Sequence, residues 1–256
     1  MVQEQAEAML KLAIEQKMPY WATEGTMIRG WALAEQGQEE EGLAQMRQGF
    51  AAWRAMGNNV VAPYFLAWQI EVHERMGQIE EGQSALAEAF ALVDKTREGF
   101  YVAELHRLKG ELLLTQERKS QKPVLSIVEG ANGKSQKSEN TGPRPLTPDP
   151  QGEAEEYFLK AIEVAQKQQA KSLELRATVS LPRLWQQQAL QQGAGSIEHG
   201  ANSKESGVRS KEQEARTKLA EAYRMLSEVY NWFTEGFDTK DLQEAEALLT
   251  SLEDSI

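Results

Sequence analysis

GWALAEQGQEEEGLAQMRQGFAAWRAMG, residues 30–57, and IEVHERMGQIEEGQSALAEAFALVDKTR, residues 70–97, align at a constant offset of 40. They match at Gly37/Gly77, Gln38/Gln78, Glu40/Glu80, Glu41/Glu81, Gly42/Gly82 and Phe50/Phe90. Self-similarity at such a period is the mark of a repeat architecture. Each unit reads as helix, tight turn, helix. Gly37 and Gly77 follow the last apolar residue of one helix, where a left-handed C-terminal position favours glycine. Gly30, Gly42, Gly49, Gly82 and Gly110 fall inside helical patterns, at ~1 kcal/mol each relative to alanine. Small residues there let two helix backbones approach closely. A third unit starts at Gly110 with GELLLTQ, 40 residues beyond Ile70.

Composition sets two segments apart from this pattern. Residues 117–152 hold five of the eight prolines, Pro123, Pro143, Pro145, Pro148 and Pro150, among Gly, Ser, Asn and Lys. Residues 190–213, LQQGAGSIEHGANSKESGVRSKEQ, have the same character. Such stretches bury too little apolar surface to offset the entropy of ordering, so both read as disordered inserts. SIVEGANGK at 126–134 and SIEHGANSK at 196–204 are related at an offset of 70, as one insertion event repeated would leave them.

The chain of 256 residues has no cysteine, which excludes a disulfide scaffold, a thiolate metal site and a thiol nucleophile. Its formal charge of −11 repels a nucleic-acid backbone. The two inserts hold 9 basic and 7 acidic residues, so the body keeps 19 against 32 and carries the acidity itself. No apolar run is long enough to cross a bilayer, and the start lacks a basic region followed by an apolar one. The expectation is a cytoplasmic protein with neither nucleic acid nor membrane as partner.

The residues at the repeat positions resemble the tetratricopeptide repeat, a helix pair with small residues where the helices cross. Those slots hold Gly30, Leu33, Gly37, Gly42, Met46 and Gly49, then Ile70, His73, Gly77, Gly82, Leu86 and Ala89. The third unit has Gly110 and Leu113, then Ala154, Phe158 and Ala161; the fourth ends with Ala222, Leu226 and Val229. The unit of about 40 is longer than the family's, and Pro182 is expected to kink or split the fourth helix A.

The fold expected is all-α: a tetratricopeptide-like helix-turn-helix solenoid of about 3.5–4 units with a period of about 40, occupying 1–256 as one domain. Its parts are a lone helix B at 3–17, unit one at 23–57, unit two at 63–97, unit three at 102–116 plus 153–169, and unit four at 172–189 plus 214–233. A helix at 239–252, capped by Asp238, lays Leu242, Ala245, Leu248, Leu249 and Leu252 as an apolar stripe that seals the stack. The chain begins mid-unit, as though cut from something longer.

A narrower resemblance covers most of the body. GWALAEQG, ELHRLKGELLL, KSLELRATVSL and NWFTEGFDTKDLQEAEALL are similar to the tetratricopeptide tail of large bacterial regulators. These carry a class III adenylate/guanylate cyclase domain and an ATPase module ahead of the tail. The resemblance implies a scaffold or regulatory role in signalling, with a cyclase or ATPase domain encoded upstream as a partner.

Catalysis is not expected. There is no GxxxxGK phosphate loop, HExxH or GxSxG, and His73, His106 and His199 lack paired ligand spacing, so neither a cofactor nor a metal is implied. Trp53, Trp68, Trp185 and Trp232 read as packing residues, and Trp31 as an exception. The resemblance implies a concave face lined by columns of helix A: Glu24 and Trp31; Tyr64, Glu71 and Glu74; Glu104, Arg107 and Glu111. These columns would form an acidic groove for a basic peptide or a basic face of another domain, with Trp31 and Tyr64 as anchors. Two alternatives stand beside this: an effector-sensing helical tail, and a truncated remnant without independent function.

Overall fold

The computed structural model describes residues 2–121, 149–198 and 205–255. Among them are ten α-helices and no strand. In chain order they are α1 (Val2–Glu15), α2 (Pro19–Glu35), α3 (Glu39–Ala55), α4 (Ala62–Arg75) and α5 (Ile79–Thr96). There follow α6 (Val102–Gln121), α7 (Pro150–Gln168), α8 (Lys171–Glu198), α9 (Glu205–Tyr230) and α10 (Lys240–Glu253). The pairs α2/α3, α4/α5, α6/α7 and α8/α9 are antiparallel hairpins, and α1 lies on α2. Each even-numbered helix from α2 to α10 also touches the next even-numbered one. Helices further apart than second neighbours make no backbone-level contact among the described residues. The result is a row of hairpins whose even-numbered helices form one continuous layer.

The turns follow from the glycines. Gly37 and Gly77 adopt φ +82° and +66°. Gln38 N–H donates to Leu33 O at 3.0 Å and Gln78 N–H to His73 O at 2.8 Å, while Gly37 and Gly77 themselves donate to Ala34 O and Glu74 O. This is the Schellman pattern, which satisfies carbonyls that the helix end would otherwise leave bare. Inside the first hairpin the glycines act differently. A Cβ on Gly30 would lie 2.6 Å from Gly42 O and 2.8 Å from Met46 N, and one on Gly49 would lie 2.8 Å from Thr23 O. At these crossings α2 and α3 touch backbone to backbone. Gly110 instead makes room for the ring of Phe158, whose Cε1 would sit 2.5 Å from a Cβ there.

Two larger apolar cores result. One gathers Met27, Trp53, Phe65, Ile70, Leu105, Leu108 and Leu112. The other gathers Phe158, Leu181, Leu184, Trp185 and Leu226, with Leu242, Ala245, Leu248 and Leu252 of α10 closing it.

Four sequence expectations change. The segment 190–213 is largely helical: α8 continues to Glu198 and α9 starts at Glu205, so only 199–204 lie outside the described residues. Likewise α6 runs to Gln121 and α7 begins at Pro150, which leaves 122–148 of the first insert outside them. Proline as the first helical residue costs nothing because its missing N–H has no partner there, and Asp149 caps that turn by accepting from Gly152 N–H at 3.1 Å. Pro182 does not split its helix; α8 is continuous through it. Finally, α10 starts at Lys240 with Thr239 rather than Asp238 at the N-cap.

Candidate functional site

The even-numbered helices α2, α4, α6, α8 and α10, together with the start of α1, line an open cavity of about 1230 Å³. Its lining divides by chemistry into a wall, a floor and a mouth.

The wall is aromatic. Trp31 and Trp68 have ring centroids 5.7 Å apart, Tyr64 meets Trp68 edge-on at 4.6 Å, and Tyr64 meets Tyr101 edge-on at 4.9 Å. These are favourable edge and tilted arrangements of π quadrupoles. Burial pushes both tyrosine hydroxyls up from their ordinary value, and neighbouring carboxylates add to it, Glu24 for Tyr64 and Glu104 for Tyr101.

The floor is ionic and joins α4, α6 and α8. Arg107 donates to Glu104 Oε1 through Nε at 2.9 Å and Nη2 at 2.5 Å, and to Glu71 Oε1 at 2.9 Å. Glu111 lies 3.5 Å from Arg107 Nη1 and accepts from Ser180 Oγ at 2.7 Å. Arg176 pairs with Glu71 and stands 3.1 Å from Glu104. Glu74 accepts from Thr115 Oγ1 at 2.5 Å. The two central carboxyls respond in opposite senses. Burial raises Glu71, and the repulsion of Glu104 supports the rise although Arg176 and Arg107 oppose it. For Glu104 burial works the same way, but Arg107 and Arg176 outweigh it and hold the carboxyl below its ordinary value.

The mouth is also charged. Glu35 accepts from Arg75 at 2.5 Å and from Lys240 at 3.4 Å, so one carboxylate ties α2 to α4 and to the start of α10. Arg183 pairs with Glu244 at 2.8 Å, and Gln36 donates to Gln3 at 2.9 Å.

Of the eight expected site residues, Trp31, Tyr64, Glu71, Glu74, Arg107 and Glu111 line this cavity. Two do not. Glu24 is half-buried outside the lining, and Glu104 is sealed beneath the floor at 1% exposure. The charge of the lining is more mixed than those columns implied. Seven carboxylates line the cavity against five cations, because Arg75, Arg176, Arg183 and Lys240 join Arg107. Most of the acids are therefore paired locally.

Sequence reasoning missed Trp68 as a wall residue, together with Tyr101, Arg176, Ser180, Arg183 and Lys240. A signal for three of them existed. Arg107 and Glu111 stand three before and one after Gly110, and Glu74 stands four after Ile70; the same steps from Val179 give Arg176, Ser180 and Arg183.

Elsewhere, His73 is buried and held by Arg47 at 3.0 Å and Gln78 at 2.8 Å. His106 sits between the rings of Phe90 and Tyr157. Burial lowers both histidines from their ordinary value. His199 lies outside the described residues. Trp53 and Trp185 pack in the cores, whereas Trp232 is 60% exposed and departs from its expected packing role. Among the described residues no His, Asp and Glu side chains converge as a metal site requires, and no helix is long and apolar enough to cross a membrane.

No protein-family model matches the chain, and a search of curated proteins finds no relative.

Proposed function

We propose that the chain is a tetratricopeptide-like solenoid acting as a non-catalytic interaction module, which takes a peptide segment of a partner protein into its inner cavity. The observation that carries this reading is the cavity itself. At about 1230 Å³ it exceeds the 300–1,000 Å³ typical of drug-sized ligands. Its aromatic wall supplies rigid anchors of the kind that dominate binding energy at interfaces. The sequence resemblance makes a bacterial cyclase–ATPase regulator the setting, with the partner segment on the catalytic or ATPase part of that system. The closing contact of Lys240 with Glu35 favours a second reading, an effector-sensing tail whose ligand is enclosed by the stack.

Selection from a random peptide display library on the full chain tests the proposal. Enriched sequences should lose binding by roughly 30-fold or more on Trp31→Ala or Trp68→Ala, the effect of removing a hot-spot aromatic. Absence of any enrichment sensitive to these substitutions refutes it. Protection by small metabolites in the absence of peptide enrichment would instead support the effector reading.

A further inference from the structure

The floor of the cavity is short of positive charge. Glu71, Glu74, Glu104 and Glu111 converge there from α4 and α6, and among the described residues only Arg107 and Arg176 face them from within. Arg118 reaches Glu74 from the rim at 3.6 Å and is half exposed, so it is well screened by solvent. Glu104 Oε2 is sealed from solvent and receives no hydrogen bond from the described residues. A buried carboxylate oxygen without a donor is costly, and because this one lies beneath the floor, it is the lining carboxylates of Glu71, Glu74 and Glu111 that a further cation can reach. Directly beside this floor stands the wall of Trp31, Tyr64, Trp68 and Tyr101, whose π faces attract the same kind of charge.

We propose that the cavity seats one cationic side chain of the bound peptide, an arginine or a lysine, between the carboxylates of Glu71, Glu74 and Glu111 and the aromatic wall. This rests on the peptide-binding reading and supplies the chemistry that reading leaves open. Burial displaces the Glu71 carboxyl upward, against the pull of Arg176 and Arg107. The groups facing Glu71 are Tyr64 on its own helix, Glu104 and Arg107 of α6, Tyr101 just before α6, and Arg176 of α8. Of these only the two arginines are cationic, and each is shared between Glu71 and Glu104. An incoming guanidinium or ammonium favours the ionised form of Glu71, so binding releases protons at any pH where that carboxyl is partly protonated. Affinity then rises with pH up to the Glu71 value in the empty protein and is flat above it.

The test is calorimetric titration of the full chain with three amidated nonapeptides of alternating Gly and Ser whose central residue is Arg, Gln or Glu. Buffers of different ionisation enthalpy count the protons released. The expected result is binding of the Arg peptide about tenfold or more above the Gln peptide, with the Glu peptide weakest. Proton release and the pH dependence should vanish in Glu71→Gln, and Glu111→Gln should weaken only the Arg peptide, both variants keeping the wild-type circular dichroism. Equal binding of the three peptides, still abolished by Trp31→Ala, overturns the cation seat and leaves the peptide cavity standing. Failure of all three to bind, together with an empty library selection, overturns both.

Discussion

Gly30→Ala is expected to destabilise the protein although it improves helix propensity. The new Cβ would lie 2.6 Å from Gly42 O and 2.8 Å from Met46 N, both backbone atoms of α3. No side-chain rotation relieves such contacts, so α2 and α3 must separate. That separation loosens Leu33, Ala34, Leu43 and Met46, all buried along the crossing. Overpacking of this kind costs about 1–3 kcal/mol, and opposition by backbone places it at the upper end. The gain from replacing an interior helical glycine is ~1 kcal/mol, so the net loss is about 2 kcal/mol. Gly25, on the same helix, is the control. A Cβ there meets Leu10 at 3.4 Å, an ordinary contact, so Gly25→Ala should stabilise by about 0.5–1 kcal/mol. Urea denaturation followed by circular dichroism reads both changes. Amide exchange along α2 and α3 locates them, since a row of hairpins need not unfold in one step. If Gly30→Ala stabilises as Gly25→Ala does, the backbones are not in contact and the hairpin geometry is wrong.

Arg107→Leu should cost up to about 3–5 kcal/mol because it leaves the buried Glu104 carboxylate with Arg176 alone, whereas the double change Glu104→Leu, Arg107→Leu should recover much of that in a denaturation cycle. Acidification should weaken the fold through its histidines. His73 and His106 are held below the ordinary value of 6.5, so as pH falls through about 6.5 the unfolded chain takes up protons that the folded one resists. The stability their neutral forms allow is full above that value and lost below it, and His106→Phe should flatten the loss between about pH 7 and 5. Lys240→Ala should leave thermal stability nearly unchanged, as exposed pairs contribute about 0–1 kcal/mol, yet lengthen the distance between fluorophores placed on α1 and α10. An unaltered distance would show that the Glu35 contact does not hold the mouth.

The hairpins were legible because their determinants are local. Gly37 and Gly77 close turns through atoms a few residues away, and Gly30 and Gly42 announce close helices by lacking a side chain. Element ends were less so. Asp149 and Pro150 form a helix start inside a segment whose composition argued against any helix. Residues 190–198 and 205–213 extend two long helices because helix, once nucleated, propagates at little cost per residue. The floor of the cavity was the least legible. Arg176 and Glu71 are 105 residues apart, and their pairing depends on how one hairpin rides on the next. Glu104 shows the same limit from the other side. Its column is open at Tyr64 but sealed at 104, because the aromatic wall and two arginines cover it.

Helices whose backbones approach only first and second neighbours have a consequence for the birth of the protein. Nearly every native contact joins segments close in sequence, so little loop-closure entropy delays its formation. During synthesis, at about 5–20 residues per second, α1 to α3 can dock as soon as they clear the ribosome, and each later hairpin can add to a finished surface. The cavity is the exception. It needs α4, α6 and α8 together for its floor and α10 for its mouth, so its lining is complete only when α10 has been made.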